Sequence, residues 1–351
     1  MKKMWAAYAA IAAILYFIAN TLYTAGSFKS IEPHMDGTLG KVYVQVPGPE
    51  DMAADEDLGL LFISSTDRWK TLNGQASDDG IFLLRPDSSQ NPHKLPTTYK
   101  GSFHPHGISL YQDHSTSYLF AVNHNASGSF VEIFEYRNDS LFHLRSVSDA
   151  SMCCPNDVVA VGKDQFYVTN DHGTPKGFMR TLEEYLRLPF SKLLFYDGDS
   201  MRLAHKGMNY ANGVNISNDR SRLFVATTTG QNLLVFDRDS TNGLLTLRNK
   251  LKLHTGVDNI DVDRDGTLWI AAHPKLLAFV SHAKDSSKRS PSQVLQLLPS
   301  TEKQGYTVKE VFLDDGSTLS GSSIATRYKD EIFVGGVFER KILRVKLKES
   351  R

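Results

Sequence analysis

The chain predicts an all-β fold, a six-bladed β-propeller preceded by an N-terminal hydrophobic anchor helix. Two observations carry this prediction. The first is a unit written six times: a small polar cluster, an apolar alternating run, a turn and a second apolar strand. The copies are Glu50-Asp51 before LGLLFISS, Pro105-His106 before SYLFAVNH, and Asn156-Asp157 before DQFYVTND. They continue with Asn212-Gly213 before SRLFVATT, Asp258-Asn259 before GTLWIAAH, and Gly321-Ser322-Ser323 before DEIFVGG. Their starts lie roughly 45–65 residues apart, near the repeat lengths of propeller blades. The second is strand chemistry between the copies, as in FVEIFEYR, KLLFYDG, NLLVFDRD, KLLAFVSH and KILRVKL. These runs alternate or are rich in β-formers, and turns such as Arg264-Asp265-Gly266 and Ser217-Asn218-Asp219 separate them.

The elements follow in order. Residues 1–25 form a targeting segment: Lys2 and Lys3 precede an apolar stretch from Trp5 to Ala19 that runs on through Leu22 and Tyr23. Its length lies between a signal-peptide core and a full span. Tyr23-Thr24-Ala25 puts a bulky ring where cleavage wants a small residue. The expectation is an uncleaved signal anchor with the lysines cytosolic and the rest lumenal or extracellular; a cleaved signal peptide and a secreted protein are the alternative. Residues 26–45 are a tether and first strand, and residues 46–351 the propeller. Of three glycosylation triplets, Asn138 in the turn RNDS is the candidate. Asn125 beside His124 and Asn215 inside a strand pattern are discounted.

Met179 to Leu188 has helical character, with Thr181 and Glu184 spaced as a capping box and Pro189 as the stop. Such a helix either patches the propeller or forms a lid or membrane-facing element at the site. His282 to Ser292 reads as an exposed loop.

A formal net charge of zero leaves no basic field for a phosphate backbone, so nucleic acid is not an expected partner. The two cysteines, Cys153 and Cys154, are neighbours and cannot join distant parts of the fold. They are expected as free thiols packed at a blade edge. The chain lacks a G-x-S-x-G elbow, H-E-x-x-H, a P-loop and a dinucleotide fingerprint, which argues against serine hydrolase, zincin and nucleotide chemistry.

In a propeller the first strand of each blade lines the channel, so the residues opening the repeats converge: Glu50, Asp51, His106, Asn156, Asp157, Asn212, Asp258, Asn259 and Ser323. Carboxylates with amide oxygens and no sulfur form a hard-cation set, suited to Ca²⁺ rather than Zn²⁺. Strand-start Asn and Asp are also ordinary turn residues; their recurrence at one place in successive repeats favours the shared site. Asp51 and Asp157 each follow a ligand of the first site, and alternation turns them towards a second cation deeper in the channel. Asp261-Val262-Asp263-Arg264-Asp265-Gly266 opens like an EF-hand loop, but Ala272 stands where the bidentate Glu belongs, so it reads as a hairpin turn.

At these residues the chain resembles the paraoxonase family, the calcium-dependent lactonases and arylesterases. The matching segments are HPHGIS (104–109), AVNH (121–124), PNDVVAVG (155–162), YVTNDHG (167–173), YANGVNIS (210–217), VDNIDVD (257–263) and LWIAAHP (268–274). The resemblance implies six blades and two central calcium ions. It implies Glu50, Asn156, Asn212, Asp258 and Asn259 as ligands of a catalytic Ca²⁺, and Asp51, Asp157 and the Ile108 carbonyl as ligands of a structural one. His106 and His124 match a histidine dyad that activates water, with a carboxylate, Glu50 or Asp258, as the competing base. Asp171, His172, Tyr210, His273, Ser323 and Val337 fall where the family lines its substrate pocket. The implied reaction is hydrolysis of small-molecule lactones or aryl esters; a membrane-anchored chaperone-like scaffold without turnover is the alternative. The family's mammalian enzymes close the ring with a disulfide between terminal strands. This chain has no cysteine at either end, so closure is expected from strand pairing of KILRVKL.

Overall fold

A computed structural model describes residues 1–301 and 305–348. Six antiparallel sheets follow one another around a central channel. The innermost strands are Pro49–Asp55, Pro105–Asp113, Pro155–Ala160, Ala211–Ile216, Gly256–Val262 and Ser322–Tyr328, which open blades 1 to 6 respectively. Each begins at one of the six polar clusters.

Alternation builds the core. In the second strand of blade 2 (Thr116–Asn125), Leu119 and Ala121 pack towards blade 1, while Phe120 and Val122 pack towards blade 3. The same division holds around the ring, so the apolar core is six clusters, each wedged between two neighbouring blades. Strands buried on both faces read as nearly continuous apolar runs, which is why LLFIS, LFAV and LWIAA show so few polar residues.

Every innermost strand is irregular at the same place. Its pairing with the second strand shifts register at Pro49/Asp51, Pro105/Ile108, Pro155/Val158, Ala211/Val214, Val257/Ile260 and Ser322/Ile324. A bulge bends the strand and re-aims consecutive side chains. The recurring polar pairs are the residues at these bulges. Two glycines permit the close approach of neighbouring inner strands. A Cβ on Gly107 would lie 2.5 Å from Cα of Asp157, and one on Gly213 would lie 2.6 Å from the Asp258 carbonyl oxygen.

The ring closes without a disulfide. Gly37–Tyr43 pairs antiparallel with Ile342–Leu347 as the outer strand of blade 6, and His34–Met35 extends blade 5. The first helix, α1 (Lys2–Thr24), buries none of its residues and is long and apolar enough to cross a membrane. It is compatible with a signal anchor or a signal peptide. At its end, Gln231 Nε2 donates to the Thr24 carbonyl at 2.6 Å and Leu276 N to that of Ala25 at 2.9 Å.

Three local expectations are corrected. KLLAFVSH is helical: after a short helix α2 (Arg68–Leu72) and the helix α3 (Phe178–Leu186), α4 spans Leu276–Lys284. Its helical spacing lets Phe279 stack on His273, with ring centroids 3.8 Å apart, while His282 is buried against Trp69. Two-sided apolar character alone did not separate helix from strand. The segment His282–Ser292 is consequently exposed only in its middle, since His282, Ser290 and Ser292 are buried. In α3 the N-cap is Gly177, so Thr181 lies inside the helix and caps nothing. The anchoring carboxylate is Glu183, which accepts from Gly173 N at 2.8 Å and Thr174 Oγ1 at 2.6 Å.

Asn138 and Asp139, both with positive φ, form the tip of a hairpin in blade 2, and Asn138 is exposed. Asn215 is committed to the channel wall, its Nδ2 donating to the Ile260 carbonyl at 2.7 Å. The Asp261–Gly266 segment is a turn organised by Asp263, which accepts from Asp265 N, Thr267 N and Trp269 Nε1.

Candidate active site

The bulged strand starts meet at one end of the channel, beneath a cavity of about 540 Å³. Glu50, His106, Asn156, Asp171, Tyr210, Asn212, Asp258, His273 and Val337 all line it. Its mouth is rimmed by the end of α1 (Thr21, Thr24), by α3 (Thr181, Tyr185) and by α4 (Leu276, Phe279).

The polar floor is tightly connected. Asn259 Nδ2 donates to the Glu50 carbonyl at 3.0 Å and to Glu50 Oε1 at 3.1 Å. Ser323 Oγ donates to the same carbonyl at 2.7 Å. Asn212 Nδ2 donates to Thr228 Oγ1 at 2.9 Å, and Asp258 Oδ2 lies 2.9 Å from His273 Nε2. These bonds hold the groups from behind and leave other atoms free. Glu50 Oε2 and the Oδ1 atoms of Asn156, Asn212 and Asn259 are buried without a hydrogen-bond partner. Buried oxygens are normally paired. Four unpaired oxygens from four blades, beside the Asp258 carboxyl, have the chemistry of a cradle for a hard cation.

The electrostatics agree with that donor set. Burial pushes the Asp258 carboxyl above its usual range against the opposing pull of His273. Burial also pushes up Glu50, but the His106 ring and the Arg68 guanidinium outweigh it and hold Glu50 at about 2. Arg68 Nη2 sits 3.7 Å from Glu50 Oε2. The sequence offered no signal for this partly buried cation, because Arg68 lies outside the repeating clusters, at the start of α2.

The second tier lies deeper. Asp51 Oδ1 accepts from Met52 N and Oδ2 from Ile108 N of the next blade, at 2.8 and 2.7 Å. Asp157 repeats this with Val158 N and Val214 N, both at 2.7 Å. Asp51, Asp157 and Ile108 line a separate cavity of about 150 Å³. Burial raises both carboxyls well above their usual range, and for Asp51 the neighbouring charges of Asp157 and Glu50 add to it. A cation between them would relieve both effects.

His106 Nε2 lies 3.2 Å from Glu50 Oε1. His124 meets His106 edge to face, with ring centroids 5.4 Å apart, and its Nδ1 contacts Ser129 Oγ at 3.1 Å. Burial, reinforced by His106, lowers His124 to about 3, so its ring is neutral. Thus the close partner of His106 is Glu50.

Across the cavity, His172 packs edge to face on Tyr210 and lies between Asp171 and Glu184, with Nδ1 2.6 Å from Asp171 Oδ1 and Nε2 2.9 Å from Glu184 Oε1. Cys154, Asp171 and His172 place ligand-type atoms within 4.8 Å of one another. The Arg180 guanidinium already fills that corner, 3.1 Å from Asp171 Oδ1 and 2.6 Å from His172 Nδ1. Both cysteines are free thiols. They directly precede Pro155–Ala160, the edge strand of blade 3 that faces the channel, beside this corner; Cys154 is buried and Cys153 exposed.

A sequence model of the arylesterase family matches residues 59–346. The chain is 33% identical over 313 residues to serum paraoxonase/arylesterase 2 of Rattus norvegicus, covering 85% of this chain and 86% of that protein. It is 32% identical over 295 residues to serum paraoxonase/arylesterase 1 of Homo sapiens, covering 81% and 82%. Among solved structures, a luciferin-regenerating enzyme superposes with a TM-score of 0.55 at 13% identity, covering 90% of this chain and 95% of its own. A protein described as a putative gluconolactonase gives 0.54 at 12% identity, covering 91% and 100%. At that identity the two structures share the propeller fold with this chain. The family is set by the sequence matches: the chain belongs to the arylesterase family.

Proposed function

We propose that the protein is a calcium-dependent hydrolase of lactones and aryl esters. The observation that carries this reading is the group of unpaired buried oxygens of Glu50, Asn156, Asn212 and Asn259, on the strand starts that meet with Asp258 beneath a cavity rimmed by both polar and apolar side chains. Glu50, Asn156, Asn212, Asp258 and Asn259 would hold the catalytic Ca²⁺, and Asp51, Asp157 and the Ile108 carbonyl a structural one. A Ca²⁺ held by the first set would supply Lewis-acid polarisation of the substrate carbonyl and electrostatic stabilisation of the negative charge developing on its oxygen.

The chain's own groups supply the rest. His106 Nε2 takes the proton from the attacking water, and Glu50 Oε1 beside it stabilises the resulting imidazolium. Neutral His124 walls the ring on its other side. His273 fixes the Asp258 carboxyl through Nε2 and is itself fixed by Phe279. Tyr210, His172, Asp171 and Val337 shape the space for the substrate's acyl and leaving groups. Helix α1 serves as an uncleaved anchor with the propeller on the lumenal or extracellular side.

A panel of lactones and aryl esters, assayed with and without a calcium chelator, tests the reading. Turnover that disappears with chelator and returns with Ca²⁺ is expected, as is loss of turnover in Asp258→Ala. Full turnover in a calcium-free Asp258→Ala protein would overturn it.

A further inference from the structure

We propose that Cys153 and Cys154 form a redox modification site, oxidised by small-molecule disulfides, that shifts the Asp171–His172 edge of the cavity. The Sγ atoms face one another at 2.7 Å. Closure to the covalent length of about 2.05 Å moves them by a fraction of an ångström, and the strain of bridging adjacent residues makes the resulting bond readily reducible. Cys153 is exposed and open to attack on a disulfide in solution, while Cys154 is buried behind it. That is the arrangement of an attacking and a resolving thiol.

The step balances as follows. The Cys153 thiolate attacks a disulfide RSSR and expels RS⁻, leaving a mixed disulfide. Cys154 Sγ then attacks Cys153 Sγ and expels the second RS⁻, and its own proton goes to solvent. Two thiols are oxidised and RSSR is reduced to two RSH. The contact with Cys154 lowers Cys153 to about 7, which supplies the thiolate for the first step.

Three contacts carry the change into the site. Both thiols donate to the His172 carbonyl, at 3.3 Å from Cys153 and 3.1 Å from Cys154. Asp171 N donates to the Cys154 carbonyl at 3.1 Å. Oxidation deletes both S–H donors at once. It also encloses the peptide bond between the cysteines in a small ring that includes Cys154 Cα, the atom to which the carbonyl that holds Asp171 is attached. The Asp171 carboxylate in turn anchors Arg180 of α3. The dithiol therefore couples to one wall of the cavity and one helix of its rim.

The coupling of this switch to turnover rests on the hydrolase reading; its chemistry and structural effect do not. The full-length protein is equilibrated in glutathione buffers of graded potential. Alkylation and mass spectrometry of the peptide containing Cys153 and Cys154 count the free thiols, and hydrogen exchange is read over residues 171–186. The expected result is loss of both alkylatable thiols with a mass lower by two hydrogens, faster exchange at residues 171–186, and reversal by dithiothreitol. KM for aryl esters shifts by about threefold or more in the oxidised form. Cys153→Ser lacks the attacking thiol, so its exchange and KM should ignore the buffer potential, whereas Cys154→Ser lacks the resolving thiol and should stop at the mixed disulfide, gaining the mass of one glutathione and losing no pair of hydrogens. Two retained thiols at every potential, or a formed disulfide with unchanged exchange, would overturn the proposal. A protein that shows the exchange change but hydrolyses nothing overturns the hydrolase reading and leaves the switch standing.

Discussion

Asn259 grips Glu50 across 209 residues of sequence, its single amide nitrogen donating to both the main-chain carbonyl and the side-chain Oε1. The bond joins blade 5 to blade 1 and leaves Asn259 Oδ1 buried without a hydrogen-bond partner. Replacing Asn259 with Ala removes one candidate ligand and the clamp on another. Steady-state kinetics should show kcat lower by about 10²-fold, the scale of losing one preorganised polar group at a developing charge. Calorimetry should show weaker Ca²⁺ binding in the same protein. Unchanged Ca²⁺ affinity would remove Asn259 from the ligand set.

The proton-transfer role of His106 is separable from metal binding. His106→Gln should lower kcat by about 10²–10⁴-fold while leaving Ca²⁺ affinity within a small factor of the parent. The limb of the pH–rate profile that reports the base should vanish with it. A limb that persists in His106→Gln would transfer the base role to Glu50 or Asp258.

Much of this site was legible in the sequence because it is written in the repeats. The clusters at Glu50-Asp51, Asn156-Asp157 and Asp258-Asn259 announced inner strands, and their oxygen-rich chemistry is the ground for expecting a hard cation. The bulge beneath each cluster was not legible, since the sequence gives no count of strand pairing. Arg68 and Phe279 were missed for another reason. Each occupies a connecting segment whose position depends on packing, Arg68 beside Glu50 and Phe279 against His273. Reading KLLAFVSH as a strand failed for the same cause, because an apolar run between two blades buries equally well as a helix.

Bound calcium should be visible as stability. Asp51, Asp157 and Asp258 are buried carboxyls that resist ionisation unless a cation joins them. Free Ca²⁺ at about 100 times Kd should stabilise the native state by about 2.7 kcal/mol per site. Differential scanning calorimetry in Ca²⁺ and in chelator checks this. Asp51→Ala should largely abolish the gain from the deeper site and add a cost of about 1–3 kcal/mol for each backbone N–H left unpaired. An equal Tm in both buffers would show that the carboxyls are accommodated without an ion.

His172 gives a pH signature. Burial lowers its pKa, but the hydrogen bonds that the ring donates to Asp171 and Glu184 outweigh that and raise it to about 9, against 6.5 for the free side chain. A group whose folded pKa is raised adds stability that is complete below the unfolded value and is lost as pH climbs through the folded one. The Tm of wild type should therefore fall between pH 6.5 and 9 more steeply than that of His172→Gln. Parallel curves would show that His172 is neutral in the folded protein.

The outermost strand of the sixth blade comes from Gly37–Tyr43, and its partner, Ile342–Leu347, follows every other strand of the propeller in the sequence. Ring closure must therefore wait for translation through Leu347, with one lateral face of the nascent β-structure uncovered meanwhile. Contacts of such long range fold slowly, and an uncovered strand edge invites pairing with other chains. Overproduction of this protein should thus be limited by aggregation of half-built rings rather than by the final stability of the finished one.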